Sequence, residues 1–449
     1  MQVAGQAQVG YTFDNANRLT QIAQGTSTVG LTYDNANRHS TLTLPNGIVA
    51  TYSYDNDSHL TGISYALNSN PVGVLNYGYD AIGMQTSISG SMARMGLPQP
   101  MPSAAYDGGN ELLAWNESAF SYDSNGNMLS DGVHNYAWDA RNHLSTIDSG
   151  STGSFVYDPA GRRATKVISG TQTNFLYDVA NPVQELSGST PTANLLTGGL
   201  DEYFMRTDTN GTWNFLTDAL DSTAALSDPT GAIQTQYTFD PFGNTAQSGT
   251  STTNSFAYTG RESDGTGLYF YRARYYSPQL GRFISEDPVG FGGGINVYGY
   301  VGDSPTNAID PTGLAPVNPQ DMASLEGLFP GFTPLSNTGI VVPVPCDEVR
   351  KILEQNNFYS SDNWPNKNLF LFWDPIAHSG GWEFRKKDGM HLRMKYPDKP
   401  CDKTCTLDQA HNDDYNPMFD PGGHFLYELL PDLGSQVTPS SGNGYPVPH

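Results

Sequence analysis

Two aspartates carry the most specific chemistry in this sequence: Asp287 in "SEDPVGF" and Asp310 in "AIDPTGL". Each opens the pattern Asp-Pro-x-Gly followed by a large apolar residue. Two carboxyl groups close enough to share one proton can hydrolyse a peptide bond, because one stays ionised and activates water while the other donates to the carbonyl. Pro288 and Pro311 each fix one dihedral, and Gly290 and Gly313 permit the tight turns that would hold both acids against one loop. Taken alone, Asp-Pro-x-Gly is a turn. This pair stands out because the chain changes character directly after the second copy.

Residues 315–449 hold a second set of chemistry-bearing side chains. In "WEFRKKDGMHLRMKYP" a hairpin turned at Asp388-Gly389 places Met390, Leu392 and Met394 on one face. His391, Arg393 and Lys395 fall on the other face, where Arg385 and Lys387 join them. Such a strip suits a phosphate-rich substrate with His391, and His411 beyond it, as acid or base, so nucleic acid is one candidate substrate. A solvated charged face explains the same residues. Cys401, Cys405, His411 and His424 have the ligand types of a zinc site, but CxxxC followed by widely spaced histidines is a weak match to the usual structural spacings.

The elements that must position these residues are β-rich. A chain of 449 residues with 26 Tyr, 48 Gly and 30 Pro, and few charged residues, favours many short strands and turns over long charged helices. Its net charge of -23 argues against whole-chain binding to nucleic acid or anionic membranes. No stretch approaches a membrane span, and the amino terminus lacks the basic start and apolar run of a secretory signal. Three cysteines, all after residue 314, fix neither a pairing nor a compartment.

The first half repeats itself. "YTFDNANRLTQI", "LTYDNANRHSTL", "YSYDNDSHLTGI", "YAWDARNHLSTI" and "FVYDPAGRRATK" share one grammar of aromatic, Asp, turn, polar and apolar. The aspartates Asp14, Asp34, Asp55, Asp80, Asp107, Asp123, Asp139, Asp158 and Asp178 recur at roughly 20-residue intervals, one hairpin per repeat. They read as turn formers and the tyrosines as packing on a pleated face. A single unit cannot bury its own apolar face, so successive units should stack into a winding sheet.

These repeats resemble the YD repeats of the Rhs family, which includes the C subunits of insecticidal toxin complexes. The stretch "YTFDPFGNTAQSG" and the following "FAYTGRESDGTGLYFYRARYYSPQLGRFISEDPVGF" resemble that family's core motif. The resemblance covers about residues 1–314 and implies a mainly β fold, a spiral β-sheet shell closed at one end by a core plug and requiring no cofactor. It also implies self-cleavage: Asp287 and Asp310, with Arg274 thirteen residues upstream of Asp287, would cut between Leu314 and Ala315. Phe291 stands where relatives often have Trp.

The expected organisation is then a repeat segment (1–235), a core segment (236–314), a Pro/Gly-rich linker (315–345) and a small α+β domain (346–449). That last domain would begin with the helix-like "DEVRKILEQNNF", whose Val349, Ile352 and Leu353 share a face. Family membership makes the tail a variable effector and the shell's own cargo. The implied partners are an immunity protein and a secretion system or toxin complex, and the implied location is outside the cell. A competing interpretation makes the chain a surface adhesion or carbohydrate-binding protein whose repeats turn tyrosines toward a ligand. Another makes it a C-terminal cassette lacking upstream repeats, since repeat arrays need atypical ends and this chain enters directly into a repeat.

Overall fold

A computed structural model describes residues 1–317 apart from Met1, Ala4, Gln99, Met101, Pro102 and Ala315. Beyond them it describes the backbone of seven strands, Thr333–Ser336, Gly339–Val342, Tyr359–Ser360, Leu371–Asp374, Ser379–Arg385, His391–Lys395 and Cys405–Ala410. The chain divides into two units, one holding most of residues 1–324 and the other most of residues 325–449. Among the described residues no helix is long and apolar enough to cross a membrane.

The first unit is an antiparallel meander that follows chain order. Eight strands, from Val9–Phe13 to Gln85–Ser89, pair only with their sequence neighbours. Two small sheets bridge to a run of twelve more, from Tyr136–Trp138 to Thr245–Gly249. One core cluster joins both large sheets, with Ile22, Val29, Ile48, Ile63 and Leu75 from the first packing with Phe204, Leu216 and Ala225 from the second. Two tyrosines stitch across that cluster: the Tyr65 hydroxyl donates to the Thr217 carbonyl at 2.7 Å, and the Tyr77 hydroxyl accepts from the Ala219 N–H at 3.0 Å.

Each repeat closes through the same turn. The Asp Oδ1 accepts the N–H groups of the second and fourth residues that follow, as at Asp34 (2.8 and 3.0 Å), Asp139 (2.8 and 2.9 Å) and Asp240 (2.9 and 3.0 Å). The third residue takes the left-handed conformation, at φ 64° for Asn37, 59° for Asn142 and 91° for Gly243, which explains why Asn and Gly recur there. The Asp Oδ2 is held by the fourth residue's own side chain, Arg38 at 2.8 Å, His59 at 3.0 Å or Arg162 at 2.8 Å. Asp178 departs from this pattern: it ends the strand Thr171–Asp178 and pairs across a short hairpin with Asn181.

In five of the repeats the tyrosine before the Asp does more than pack. Its hydroxyl donates to a backbone carbonyl of the preceding repeat: Tyr33 to Leu19 (2.8 Å), Tyr54 to His39 (3.0 Å), Tyr79 to Leu60 (2.9 Å), Tyr157 to Leu144 (2.8 Å) and Tyr177 to Arg163 (2.9 Å). The side chain at the fourth position then lies over the tyrosine of the next repeat, with His59 stacked on Tyr79 at 4.8 Å and Arg38 4.2 Å from the Tyr54 ring. Turn, hydroxyl and stack together fix the register of adjacent repeats. These five hydroxyls are committed within the ladder, which runs against turning them to a ligand.

Residues 256–314 form the core segment. Four short strands, Glu262–Ser263, Tyr269–Tyr271, Arg274–Ser277 and Arg282–Phe283, carry a buried aromatic cluster that includes Tyr258, Tyr271, Tyr276, Phe283 and Tyr300. Buried charges fasten it to the repeat sheet. Arg163, fully buried, pairs with Glu262 at 2.6 Å and with Asp264, and Lys166 reaches Glu262 at 2.6 Å. Burial alone would raise the Glu262 carboxyl, but Arg163 and Lys166 hold it down to about 2.

The second unit is a seven-stranded sheet in which Ser379–Arg385 and His391–Lys395 pair antiparallel, His391 opposite Arg385. Two of its strands, Thr333–Ser336 and Gly339–Val342, fall within the segment expected as a linker. The helix expected at 347–358 lies outside the described residues, as do Lys387 and the hairpin turn at Asp388-Gly389.

The turn and the hydroxyl should be separable in their contributions. Tyr79→Phe removes one partly buried hydrogen bond and should cost about 1 kcal/mol, whereas Asp80→Ala removes two exposed turn hydrogen bonds whose N–H groups water can satisfy, and should cost about 0.5 kcal/mol. Urea unfolding followed by circular dichroism measures both, and equal losses would contradict the division of labour.

Candidate active site

The hairpin Tyr269–Tyr271/Arg274–Ser277 turns tightly, with Tyr271 paired to Arg274. Its tip lies against the loop that begins at Asp310. Three successive residues of the tip hold three successive carbonyls of the loop. The Arg272 guanidinium donates to the Pro311 carbonyl, the Ala273 N–H to the Thr312 carbonyl at 3.1 Å, and Arg274 Nε to the Gly313 carbonyl. Gly313 is at φ 70°, and a Cβ there would sit 2.2 Å from the Tyr271 carbonyl oxygen. Only glycine lets the loop lie this close.

Arg274 is buried, and each part of its guanidinium is used. Nη1 donates to the Val297 carbonyl at 3.0 Å. Nη2 lies 2.9 Å from Asp287 Oδ2 and 3.6 Å from Asp310 Oδ2, and the group stacks 3.7 Å from the Phe283 ring centroid. Arg274, Asp287 and Asp310 are 3%, 7% and 1% exposed, so the two carboxylates share one nitrogen away from bulk water.

Both aspartates keep the repeat's turn. Asp287 Oδ1 accepts the Val289 N–H at 2.9 Å and its carbonyl accepts the Gly290 N–H at 2.8 Å. Asp310 Oδ1 accepts the Leu314 N–H at 3.1 Å and the Thr312 hydroxyl at 3.3 Å, with Gly313 in the left-handed position. Asp-Pro-x-Gly occurs five times among the described residues, at Asp158, Asp228, Asp240, Asp287 and Asp310. In the first three, Oδ2 is held by a neighbour a few residues on: Arg162, Gln234 and Asn244. In the last two, Oδ2 turns instead to Arg274.

Burial pushes the Asp287 carboxyl up from its ordinary value, while Arg274 and the Val289 N–H pull it down. Arg274 is itself lowered by burial, against the raising effect of Asp310 and Asp287. One guanidinium between two carboxylates leaves an excess negative charge in a dry site, and a single proton on the pair cancels it.

The structure therefore brings Arg274, Asp287, Asp310 and Leu314 together. Past Leu314 the chain returns at once, since Ile309 and Val317 exchange backbone hydrogen bonds of 3.0 and 2.7 Å. Ala315 lies outside the described residues. Cys401, His411 and His424 lie outside them too, and His391 and Cys405 are placed only as backbone positions on paired strands, His391 opposite Ala410 and Cys405 opposite Val342. Sequence reasoning passed over Arg272 and Phe283 as site residues, and also Asp201, which pairs with Arg272. "RARYY" held a clue, since alternating arginines at the end of an apolar run point to one buried ionic face.

A winding β ribbon closed by an aromatic core, with a buried ionic cleft at the core's end, defines a shell-forming protein. Residues 48–293, more than half of the chain, match the family model described as Teneurin YD-shell. The chain belongs to that family, and with it to the Rhs and YD-repeat proteins. It is 30% identical over 255 residues to the tRNA3(Ser)-specific nuclease WapA of Bacillus spizizenii, covering 54% of this chain and 11% of that protein. It is 28% identical over 302 residues to the probable deoxyribonuclease RhsB of Dickeya dadantii, covering 59% of this chain and 20% of that protein. The fold resembles the crystal structure of TcdB2-TccC3-Cdc42 at TM-score 0.53 and 22% identity, over 71% of this chain and 21% of that one, a likeness of fold alone.

Gly313→Ala should dislodge the loop from the hairpin tip, because neither the left-handed φ nor the Tyr271 carbonyl accommodates a methyl group. Hydrogen exchange at the Ala273 amide reads this directly. Its protection should fall while that of the Tyr271 to Arg274 pairing persists, and unchanged protection would refute the clamp.

Proposed function

We propose that this chain is a self-cleaving shell protein of the polymorphic-toxin type, which cuts itself between Leu314 and Ala315 and so frees a C-terminal effector. One observation carries the proposal: Asp310 grips the Leu314 N–H while sharing Arg274 with Asp287. In this scheme Asp287, raised by burial, holds the proton of the pair. Asp310 takes a proton from an attacking water, whose oxygen adds to the Leu314 carbonyl carbon. Asp287 protonates the carbonyl oxygen as the tetrahedral intermediate forms. Collapse breaks the C–N bond as Asp310 passes the proton it took from water to the Ala315 nitrogen and Asp287 takes back a proton from a hydroxyl of the intermediate, which leaves the Leu314 carboxyl group. Arg274 keeps both acids in place and, through the Gly313 carbonyl, keeps the peptide beside them.

The unmodified protein should yield a fragment beginning at Ala315, seen by intact mass and amino-terminal sequencing. Asp287→Asn and Asp310→Asn should each leave a chain of 48.6 kDa, since Asn keeps the shape but cannot exchange the proton. Arg274→Lys should slow cleavage, because a point charge cannot replace a planar fork. Unchanged cleavage in both Asn variants would remove the dyad. The pH dependence has a definite sign. A carboxyl raised above its ordinary value keeps its proton further up the pH scale, and the acid is lost as pH rises through that value. Cleavage should therefore be faster at pH 5 than at pH 8, and the reverse order would exclude Asp287 as the proton donor.

For the released tail we propose action on nucleic acid. The support is twofold: two relatives are named as nucleases, and the strip of Arg385, Lys387, His391, Arg393 and Lys395 suits a phosphodiester. The shell would hold its own tail until release outside the producing cell, through a secretion system or toxin complex, with an immunity protein guarding the producer. Zinc at Cys401, Cys405, His411 and His424 belongs to the same proposal. The cleaved protein should degrade RNA or DNA, His391→Ala should abolish this without loss of the circular dichroism signal, and zinc addition tests the metal. A folded tail that is inactive on both nucleic acids, with and without zinc, would end the nuclease assignment.

A further inference from the structure

Arg272 occupies the tip of the core hairpin at φ 57°, a conformation that strains a residue with a side chain and that hairpin tips normally give to Asn or Gly. Turn geometry alone does not call for arginine here, and its side chain makes the tie to the rest of the protein. Nη1 donates to the Pro311 carbonyl, the first of the three held carbonyls before Leu314. The same guanidinium lies 2.8 and 2.7 Å from the two carboxylate oxygens of Asp201, and Nη2 also reaches the Ala180 carbonyl at 3.3 Å.

Asp201 belongs to the repeat sheet, in the turn between strands Thr190–Thr197 and Tyr203–Asp208. It is buried, pairs also with Arg261, and its N–H donates to Asn181 Oδ1 at 2.9 Å. Gly260 lies so close that a Cβ there would come within 2.5 Å of the Asp201 carbonyl oxygen. The path from the repeat sheet to the cleavage loop is therefore short: Asn181, Asp201, Arg272, Pro311. Arg274 is engaged with both acids, and it holds only the last carbonyl of the loop.

We infer that Arg272, held by Asp201, is a positioning residue for self-cleavage, which sets the register of the Asp310 loop and makes cleavage wait until the repeat sheet has docked on the core. This rests on the self-cleavage proposal. Before docking, Asp201 is absent, Arg272 has no anchor, and the Leu314 peptide is not presented to Asp287. The tail thus stays attached until there is an assembled shell beside it.

The test follows the full chain made by cell-free translation with a short radioactive pulse and chased at pH 5 and pH 8. Arg272→Gln removes the charge while Arg261 still neutralises Asp201, so the thermal melt should remain cooperative. Cleavage should slow by about tenfold to a hundredfold, the scale expected when a reacting group is misplaced by about 1 Å. The ratio of rates at the two pH values should stay at the parent value, since the proton-carrying group is untouched. In Arg272→Ala, guanidinium ion at low millimolar, non-denaturing concentration should restore part of the rate. A folded Arg272→Gln chain that cuts at the parent rate overturns the inference. Should that variant melt early, Arg272→Ala decides: recovery with guanidinium supports the positioning role, and no recovery overturns it. Asp287→Asn run alongside separates the two levels. If it too cuts at the parent rate, the self-cleavage proposal falls; if it is blocked while Arg272→Gln is not, only the role of Arg272 falls.

Discussion

A carboxylate has two oxygens, and this fold depends on how they are divided. One oxygen of the repeat aspartate satisfies two backbone N–H groups and fixes a turn whose third residue is left-handed. Repeats built on this turn reverse in the same way, so consecutive strands pair antiparallel and the ladder of tyrosine hydroxyls falls into step. The second oxygen is free to choose a partner. At Asp34, Asp55 and Asp158 it closes on a side chain four residues on, and the turn is self-contained. At Asp287 and Asp310 it is given up to Arg274, and a structural turn becomes a pair of buried acids.

Burying charge is costly unless partners are complete, and the core meets that condition with arginines. Arg163 with Glu262 and Asp264, and Arg261 and Arg272 with Asp201, are two such groups that join the core to the repeat sheet, while Arg274 with Asp287 and Asp310 is a third that lies within the core. Removing one partner would leave an uncompensated charge in a site that water does not reach. The first two groups therefore specify where the core sits on the repeat sheet more sharply than apolar packing can, since aromatic side chains tolerate small shifts and a bidentate ion pair does not.

The hairpin tip fixes the loop that leads to Leu314. Pro311, Thr312 and Gly313 each spend a carbonyl on the tip, and Leu314 spends its N–H on Asp310. An ordinary loop would satisfy these groups with water. Here they are satisfied by protein, in a fixed order, so the loop has one register. In the proposed self-cleavage the scissile peptide belongs to the same chain, and it needs no binding energy beyond this.

Much of this was legible in the sequence, because it is local. A Tyr-Asp pair followed by Asn or Gly at the third position dictates its own turn through bonds within five residues, so the repeats, their antiparallel pairing and the β class follow from pattern alone. Asp178 escaped, since its Tyr-Asp pair ends a tight hairpin instead and only the pairing of Asp178 with Asn181 distinguishes it. The resemblance of the core motif picked out Arg274, Asp287 and Asp310, but their sequence cannot say why Asp158, Asp228 and Asp240, in the same tetrapeptide, stay ordinary. That was decided by tertiary structure: Arg274 reaches two of the five, whereas Asp240, buried as well, closes on Asn244 in its own turn. Asp201 is the clearest case of what the sequence withholds. It lies 71 residues from its partner Arg272, in a stretch without motif, and only the folding of the repeat sheet onto the core places one against the other.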